Sequence, residues 1–486
     1  MRIGAEELAV ALLGAGAATG PLYLRLASGI VDLVGRGELL PGCRLPSERL
    51  LAEQALVSRT TVVAAYRHLQ DAGVVERREG SGTRIAAPEV GPGRETVTAS
   101  RPGAGRAAAY LFGPPSTIDL ATAALPGLPM VAEEAARTDQ DEYRMLIAEN
   151  HAYDPRGLLA LRRRLAELYS SRGMPTDEHQ ILITAGAQQA IEVVTSGCVQ
   201  PGDPVILEQP AYRGALEAFA RAGCKVDAVR CDADGMVMAD LDAALRNRPA
   251  RMIYLQSEVQ NPTGVRLSPG RRARLLQLAA QHGSIVVDDT SLAETTFVSD
   301  GLPALSSDRV PLISIGSLNK LFWSGLRIGW IRASADVISQ LARLKGLADF
   351  GTSVISQQVA VRLLDRIDQA RVERQQGLRE SLEIATGLLG RLLPGWSWWE
   401  PKGGPSLWVE IPRGDSSQFA SAAMRFGVAV LPAAAFSARG LVSRHLRLPF
   451  ALPEGRLIPG IERLARAWTD YEEHGPVDLP LHSIST

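Results

Sequence analysis

The stretch that decides the fold is "ISIGSLNKLFWSGLRIGWI", Ile313 to Ile331. A buried strand, "ISIGS", runs into a loop bearing Ser317, Lys320 and Arg327, and a tight "GLRIGW" follows. A lysine in such a loop can condense with an aldehyde, while the serine and arginine supply donors and charge for a phosphate. Outward from this loop the same kind of buried strand recurs. "ILIT", "PVILE", "RMIYLQ", "SIVVDD" and "LISIGS" alternate with helical stretches between Ile118 and about Tyr471. Strands alternating with helices predict an α/β fold built on a mostly parallel sheet with helices on both faces.

Four further segments supply groups that suit the lysine. "TAGAQQAIEVV" after the strand "ILI" puts Gly186, Ala187 and Gln188 at a helix N-terminus, where free backbone N–H groups favour a phosphate. "LEQPAYRGA" places Tyr212 in a loop after a buried strand, positioned to stack on a planar ring. "VQNPTGV" supplies Asn261, an amide donor for a phenolic oxygen, and "SIVVDDTSL" supplies Asp288 at a strand end, suited to a pyridinium nitrogen.

The N-terminal part reads differently. Residues 20 to 88 hold nine Arg, no Lys and seven acidic groups. Pro21 to Leu39 has an amphipathic spacing, with Leu22, Leu26, Ile30, Leu33 and Val34 on one stripe, and Gly37 and Pro41-Gly42 end it. In "LPSERLLAEQALVSRTTVVAAYRHLQDAGVVERREGSGTRIA", Ser47 caps one short helix and Ser58 a second, Arg59 to Ala72. The remainder predicts two strands around a glycine-rich tip, so the expectation is a helix-turn-helix with a wing. A recognition helix offers its first residues to base edges, here Ser58, Arg59, Thr60 and Thr61.

Composition bounds the rest. The 486 residues carry 52 Lys+Arg against 53 Asp+Glu, so 52 − 53 gives −1 and any nucleic-acid surface must be local. Cys43, Cys198, Cys224 and Cys231 form no CxxC pair and no zinc-ligand spacing, so no metal site and a reducing cytoplasm are expected. Leu8 to Ala18 is apolar, but Glu6 and Glu7 precede it and it is short of a membrane span, so neither export nor a membrane is expected. "PEVGPGRETVTASRPGAGRAAAYLFGPP" reads as a linker. The predicted layout is an extension over 1–19, a DNA-binding domain over 20–88, a linker over 89–117, a large domain over 118–474 with a small C-terminal α+β subdomain, and a tail over 475–486. Trp396, Trp398 and Trp399 are expected to pack a strand pair of that subdomain, and "PGRRARLLQLAAQ" to be a solvated helix face.

The N-terminal segment resembles the winged helix of the GntR family of bacterial transcription factors, through Tyr23 to Ala27, "LPSER-x-LA", "VSR-T-TV-x-x-AY-x-x-L" and "G-x-GT". The resemblance implies promoter DNA as partner, contacted through Arg49, Arg59, Thr60 and Gly80, with Arg44 and Thr61 beside them. The rest resembles the fold-type I aminotransferase domain, which implies pyridoxal 5'-phosphate (PLP) as a Schiff base on Lys320. It also implies Asp288 at the ring nitrogen, Asn261 and Tyr212 around the ring, Gly186, Ala187, Gln188, Ser317 and Arg327 at the phosphate, and Arg447 in "SRHLRLPFA" as clamp for an effector carboxylate. Arg444 fits that role less well.

The two together are similar to the MocR family of PLP-dependent regulators. That similarity implies a homodimer, head-to-tail, that binds DNA and senses PLP or an amine or amino acid forming an aldimine. Two departures bear on chemistry. Thr290 and Ser291 stand where aminotransferases carry a tyrosine, and Asn319 stands where a serine usually precedes the lysine. They count against efficient transamination. The alternative is a working aminotransferase with an accessory DNA-binding module.

Overall fold

The computed structural model describes residues 4–5, 8–9, 12, 21–35, 39, 43–71, 74–78, 82–85, 116–137, 140–149, 153–298, 305–438 and 443–475. The chain divides into two compact units, 1–105 with 480–486, and 106–479.

In the first unit α1 (Leu22–Gly35) lays Leu26, Ala27, Ile30 and Leu33 on a core shared with Leu51 of α2 (Glu48–Gln54) and with Val62, Ala65, Tyr66 and Leu69 of α3 (Arg59–Asp71). These are the i, i+3, i+4 positions of each helix. Ser47 caps α2 by accepting from Leu50 N at 3.4 Å, and Ser58 Oγ accepts from Thr61 N at 3.1 Å where α3 begins. Between the helices Leu56 takes φ +54°, a left-handed turn that a non-glycine rarely adopts. β1 (Val75–Arg78) and β2 (Gly82–Ile85) form the antiparallel hairpin of the wing, with Val75 opposite Ile85. Leu45 N donates to Thr83 O and Ile85 N to Cys43 O, each at 2.9 Å, which adds residues 43–45 along its edge. The helix-turn-helix and wing stand where the sequence puts them. Gly80 at the tip, the linker up to residue 115 and the tail beyond 475 lie outside the described residues.

The second unit opens with β3 (Ile118–Leu120), followed by α4 (Pro129–Ala136), α5 (Gln140–Glu149) and α6 (Leu159–Ser171). Its large sheet has the order β4 (Ile181–Thr184), β11 (Gly329–Arg332), β10 (Leu312–Ser317), β9 (Ile285–Asp289), β8 (Met252–Leu255), β5 (Pro204–Gln209), β6 (Lys225–Asp232), β7 (Gly235–Met236). Neighbours from β10 to β6 run parallel, whereas β11 is antiparallel to both its neighbours and β7 folds back on β6. The sheet is therefore mixed around a parallel centre.

Side chains alternate across it. Val205, Leu207, Tyr254, Val287 and Ile315 face α7 (Ala187–Cys198), α8 (Arg213–Arg221) and α11 (Ala335–Asp349). Ile206, Ile253, Leu255 and Val286 face α9 (Met238–Asn247) and α10 (Pro269–His282). Helix α10 corrects one expectation. Its arginines are not simply a solvated face, because Arg272 is buried, donates to Leu267 O and Ser257 O, and pairs with Glu258 at 2.8 Å.

α12 (Val354–Leu364) precedes the long helix α13 (Ile367–Leu392), which starts in the large-domain core with Ile367 and Ala370 and ends in a second core with Leu378, Leu382 and Leu389. That second core lies under a five-stranded sheet ordered β12 (Ser397–Trp398), β13 (Ser406–Glu410), β15 (His445–Pro449), β14 (Val428–Pro432), β3, covered by α14 (Ser416–Arg425) and α15 (Glu454–His474). β3 runs parallel to β14, with Ile118 opposite Val428, so both ends of the unit build the small subdomain. Trp396 packs edge-on against Phe419 and Trp468 at 5.5 Å, the packing role expected of it. Among the described residues no helix is long and apolar enough to cross a membrane, and no group of His, Cys, Asp or Glu could hold a metal ion.

Candidate functional site

The strand ends of the large sheet open on a cavity of about 380 Å³. Its walls bring together Ala187, Gln188, Tyr212, Asn261, Ser317, Lys320, Arg327 and Arg447, which are scattered over 261 positions of the chain (447 − 187 + 1). Gly186 borders the same space. It takes φ +94° as N-cap of α7, and a Cβ there would lie 2.7 Å from Asn319 Nδ2 and 3.0 Å from an Arg327 nitrogen. Only glycine leaves that corner open.

Lys320 follows β10 and donates from Nζ to Ala123 O at 2.5 Å. Burial, then the charges of Arg447 and Arg374, pull its pKa down to about 8, so the free amine is within reach near neutrality. Arg327 sits in the left-handed region, φ +53°, and donates to Ala185 O, which pins it beside the first turn of α7. Ser317 Oγ donates to Ile328 O at 3.2 Å and Asn319 Oδ1 accepts from Ile328 N at 3.1 Å, so both side chains brace the loop against β11. Tyr212 donates to Gln188 Oε1 at 3.0 Å.

Arg447 is buried on β15. One of its terminal nitrogens donates to Ala121 O and the other to Asn261 Oδ1 at 3.3 Å, and its guanidinium lies 4.9 Å over the Phe436 ring. Burial, then Arg213, draws its pKa down to about 10, and its Nε has no hydrogen-bond partner among the described residues. Within the cavity wall that spare donor is free to take an acceptor brought by a ligand.

Asp288, like Gly186, is not among the residues that line the cavity. Its carboxylate accepts from Ser257 N at 3.1 Å and Ser257 Oγ at 2.8 Å, and burial raises its pKa to about 6. Alternation along β9 turns Asp289 to the opposite face, where it accepts from Tyr254 OH at 2.6 Å and from Gln256 Nε2 at 3.1 Å. Gln256 does line the cavity. Thr290 donates to Ile315 O and Ser291 lines the cavity, so no phenol follows the aspartates.

Arg213, Gln256, Ser291 and Asn319 belong to the wall as well, though the sequence reading assigned them no place in it. Arg213 carried a signal, since it follows Tyr212 directly. Arg374 was missed too. From α13 it donates to Leu321 O at 2.8 Å, Phe322 O at 3.0 Å and Pro126 O at 2.8 Å.

On the winged-helix unit, Arg59 and Thr60 are exposed in the first turn of α3. Ser58 Oγ lies 2.7 Å from the hydroxyls of both Thr60 and Thr61. Arg49 is exposed on α2 and bonded to Glu53 at 3.1 Å, and Arg44 is half-buried in a backbone bridge to Arg84 of the wing.

Residues 116–464 match the family "Aminotransferase class I and II". The chain belongs to that family. Residues 22–85 match "Bacterial regulatory proteins, gntR family", and the fusion of the two is the organisation of MocR-type proteins. The chain is 29% identical over 447 residues to the HTH-type transcriptional regulator YdcR of Escherichia coli, covering 87% of this chain and 94% of that one. It is 32% identical over 347 residues to a 2-aminoadipate transaminase of Thermus thermophilus, covering 69% and 85%. Among solved structures, LysN, an alpha-aminoadipate aminotransferase from the same species complexed with N-(5'-phosphopyridoxyl)-L-leucine, superposes with a TM-score of 0.67 at 27% identity, covering 76% of this chain and 98% of that one.

Proposed function

We propose that this chain is a cytoplasmic transcriptional regulator that binds promoter DNA through residues 20–88 and reads PLP, with an amine or amino acid, in its large domain at 118–474. The observation that carries the proposal is the Lys320 cavity in a chain that also bears a winged helix: a lysine with a depressed pKa, a corner at Gly186 that a Cβ would fill and a buried guanidinium with a spare Nε donor share one space. The donor set fits PLP. Backbone N–H groups of the α7 first turn and Arg327 would hold its phosphate, Tyr212 and Asn261 would flank its ring, and Asp288 is proposed for its ring nitrogen. The chemistry the cofactor supplies when bound is an aldehyde for the lysine amine and an electron-withdrawing ring.

The protein's own residues do the rest. Lys320 gives up its bond to Ala123 O when its nitrogen is engaged, and regains it when an incoming amine releases that nitrogen. Arg447 holds the carboxylate of the incoming molecule. The two arrangements of Lys320 differ in charge and in one tie between loops, which is enough to bias a two-state domain arrangement.

A homodimer is part of the proposal. Ile147 on α5, Tyr153, Leu347 and Phe350 at the end of α11, and Ile355 on α12 are exposed apolar residues, and Tyr153 and Phe350 touch ring to ring at 5.7 Å. Such a face suits a second copy, and the family resemblance supports a head-to-tail arrangement.

The test is a footprint on DNA upstream of the gene, with and without PLP, beside Lys320→Ala. Protection that changes with PLP in the wild type alone is the expected result; no protection under any condition at modest salt overturns the reading. The second reading, an aminotransferase with an accessory DNA-binding module, is favoured by the transaminase relatives, and steady turnover of an amino donor with a keto acid would establish it.

A further inference from the structure

The residues that line the Lys320 cavity include Arg213, Lys320, Arg327 and Arg447 but, among the described residues, no Asp or Glu. Four cations around one space of this size repel one another unless anions enter. A phosphate, with nearly two negative charges, answers Arg327 and the first turn of α7. One carboxylate answers Arg447. Arg213 remains. Outside the cavity it pairs with Glu217, one helical turn along, at 3.7 Å, a loose ion pair between two partly exposed side chains that brings no anion into the cavity itself. The charge of Arg213 also acts on Arg447 across the wall they share, lowering its proton affinity. A second anion between these guanidiniums would remove that repulsion.

We propose, resting on the reading of the cavity as a PLP and amino-acid site, that its ligand is an acidic amino acid, with Arg447 on one carboxylate and Arg213 on a second anionic group at the end of the side chain. Neutral amino acids would leave Arg213 with only its loose pair to Glu217 and its repulsion of Arg447 in place. Simple amines would bring no anion to either guanidinium.

The experiment uses the full-length PLP-loaded protein and follows its visible absorbance during titration. The probes are L-aspartate, L-glutamate and L-2-aminoadipate, each against its neutral isostere L-2-aminobutyrate, L-norvaline or L-norleucine, and L-homocysteate as a sulfonate. For at least one acid the half-saturating concentration should be about tenfold or more below that of its isostere. In Arg213→Gln that ratio should collapse to within about twofold, and Arg213→Lys should keep part of it. Isosteres that match the acids at every length, or a preference that survives Arg213→Gln, overturns the inference and leaves the amino-acid reading intact. If no amino acid of either kind changes the spectrum while Lys320 still captures PLP, both fall.

Discussion

Lys320 Nζ donates to the main-chain oxygen of Ala123 at 2.5 Å, joining two segments 197 residues apart. Ala123 lies in the loop that follows β3 of the small subdomain's sheet, and Lys320 in the loop that follows β10 of the large sheet. The lysine is thus a tie between the two sheets as well as a nucleophile.

Its proton follows from its burial. With a pKa of about 8 against the ordinary 10.5, roughly one-tenth of the amine is free at pH 7. In cofactor-free protein, acetic anhydride should label Lys320 with a midpoint near pH 8, as read by peptide mass spectrometry. The sign of the stability effect is fixed too. Between about pH 8 and 10.5 the unfolded chain binds more protons at this lysine than the folded one, so wild type should gain stability over Lys320→Met as pH rises through that window. A flat difference would contradict the depressed pKa.

Arg374 sets that lysine from behind. Its guanidinium is buried and donates to the main-chain oxygens of Leu321, Phe322 and Pro126, which flank Lys320 and the Ala123 segment. Arg374→Met strips buried acceptors of a charged donor, so a loss of about 3 kcal/mol in urea unfolding is expected. It also removes a cation that depresses Lys320, so the labelling midpoint of Lys320 should move upward. Destabilisation with no change in that midpoint would make Arg374 a structural brace alone.

How much of this was legible depended on range along the chain. Ser47 and Ser58 announce their helices because a cap acts within three residues, and both do so here. The lysine loop was legible because Ser317, Lys320 and Arg327 fall within one short stretch. The pairing of β3 with β14 was not, since nothing local in "IDL" tells a small-sheet strand from a large-sheet one. Nor was the split of Asp288 and Asp289 between two faces, which depends on how β9 is seated in the sheet. Arg374 could have been found. Ile367, Ala370, Arg374 and Leu378 recur at helical spacing, so this arginine lies on the buried stripe, where a charge needs an explanation.

The winged helix makes a separate prediction. Arg59 is exposed at the first position of α3, while Ser58 is engaged with Thr60 and Thr61. Arg59→Ala should cost about 1 to 3 kcal/mol on the operator and little on random DNA, measured by fluorescence anisotropy at fixed salt. Ser58→Ala should instead cost about 1 kcal/mol of folding stability through the lost cap. Equal losses on operator and random DNA would reduce Arg59 to a phosphate contact.

The exposed apolar face predicts the assembly. Leu347 is 84% and Ile147 77% exposed, Leu347 on α11, whose buried side packs Ile338 and Leu341 into the core, and Ile147 on α5, where no described side chain is buried, so neither contributes a core contact to the single chain. If the face is covered by a second copy, a charge at each position must be buried there at a cost of roughly 2 kcal/mol or more. Leu347→Arg with Ile147→Asp should shift light-scattering mass at micromolar concentration from twice the chain mass to one, with circular dichroism and melting temperature of the monomer unchanged. PLP should shift the wild type further toward the dimer if both copies bind it better when paired, because such linkage is reciprocal. A double variant that stays dimeric would place the interface elsewhere and leave this apolar face to another partner.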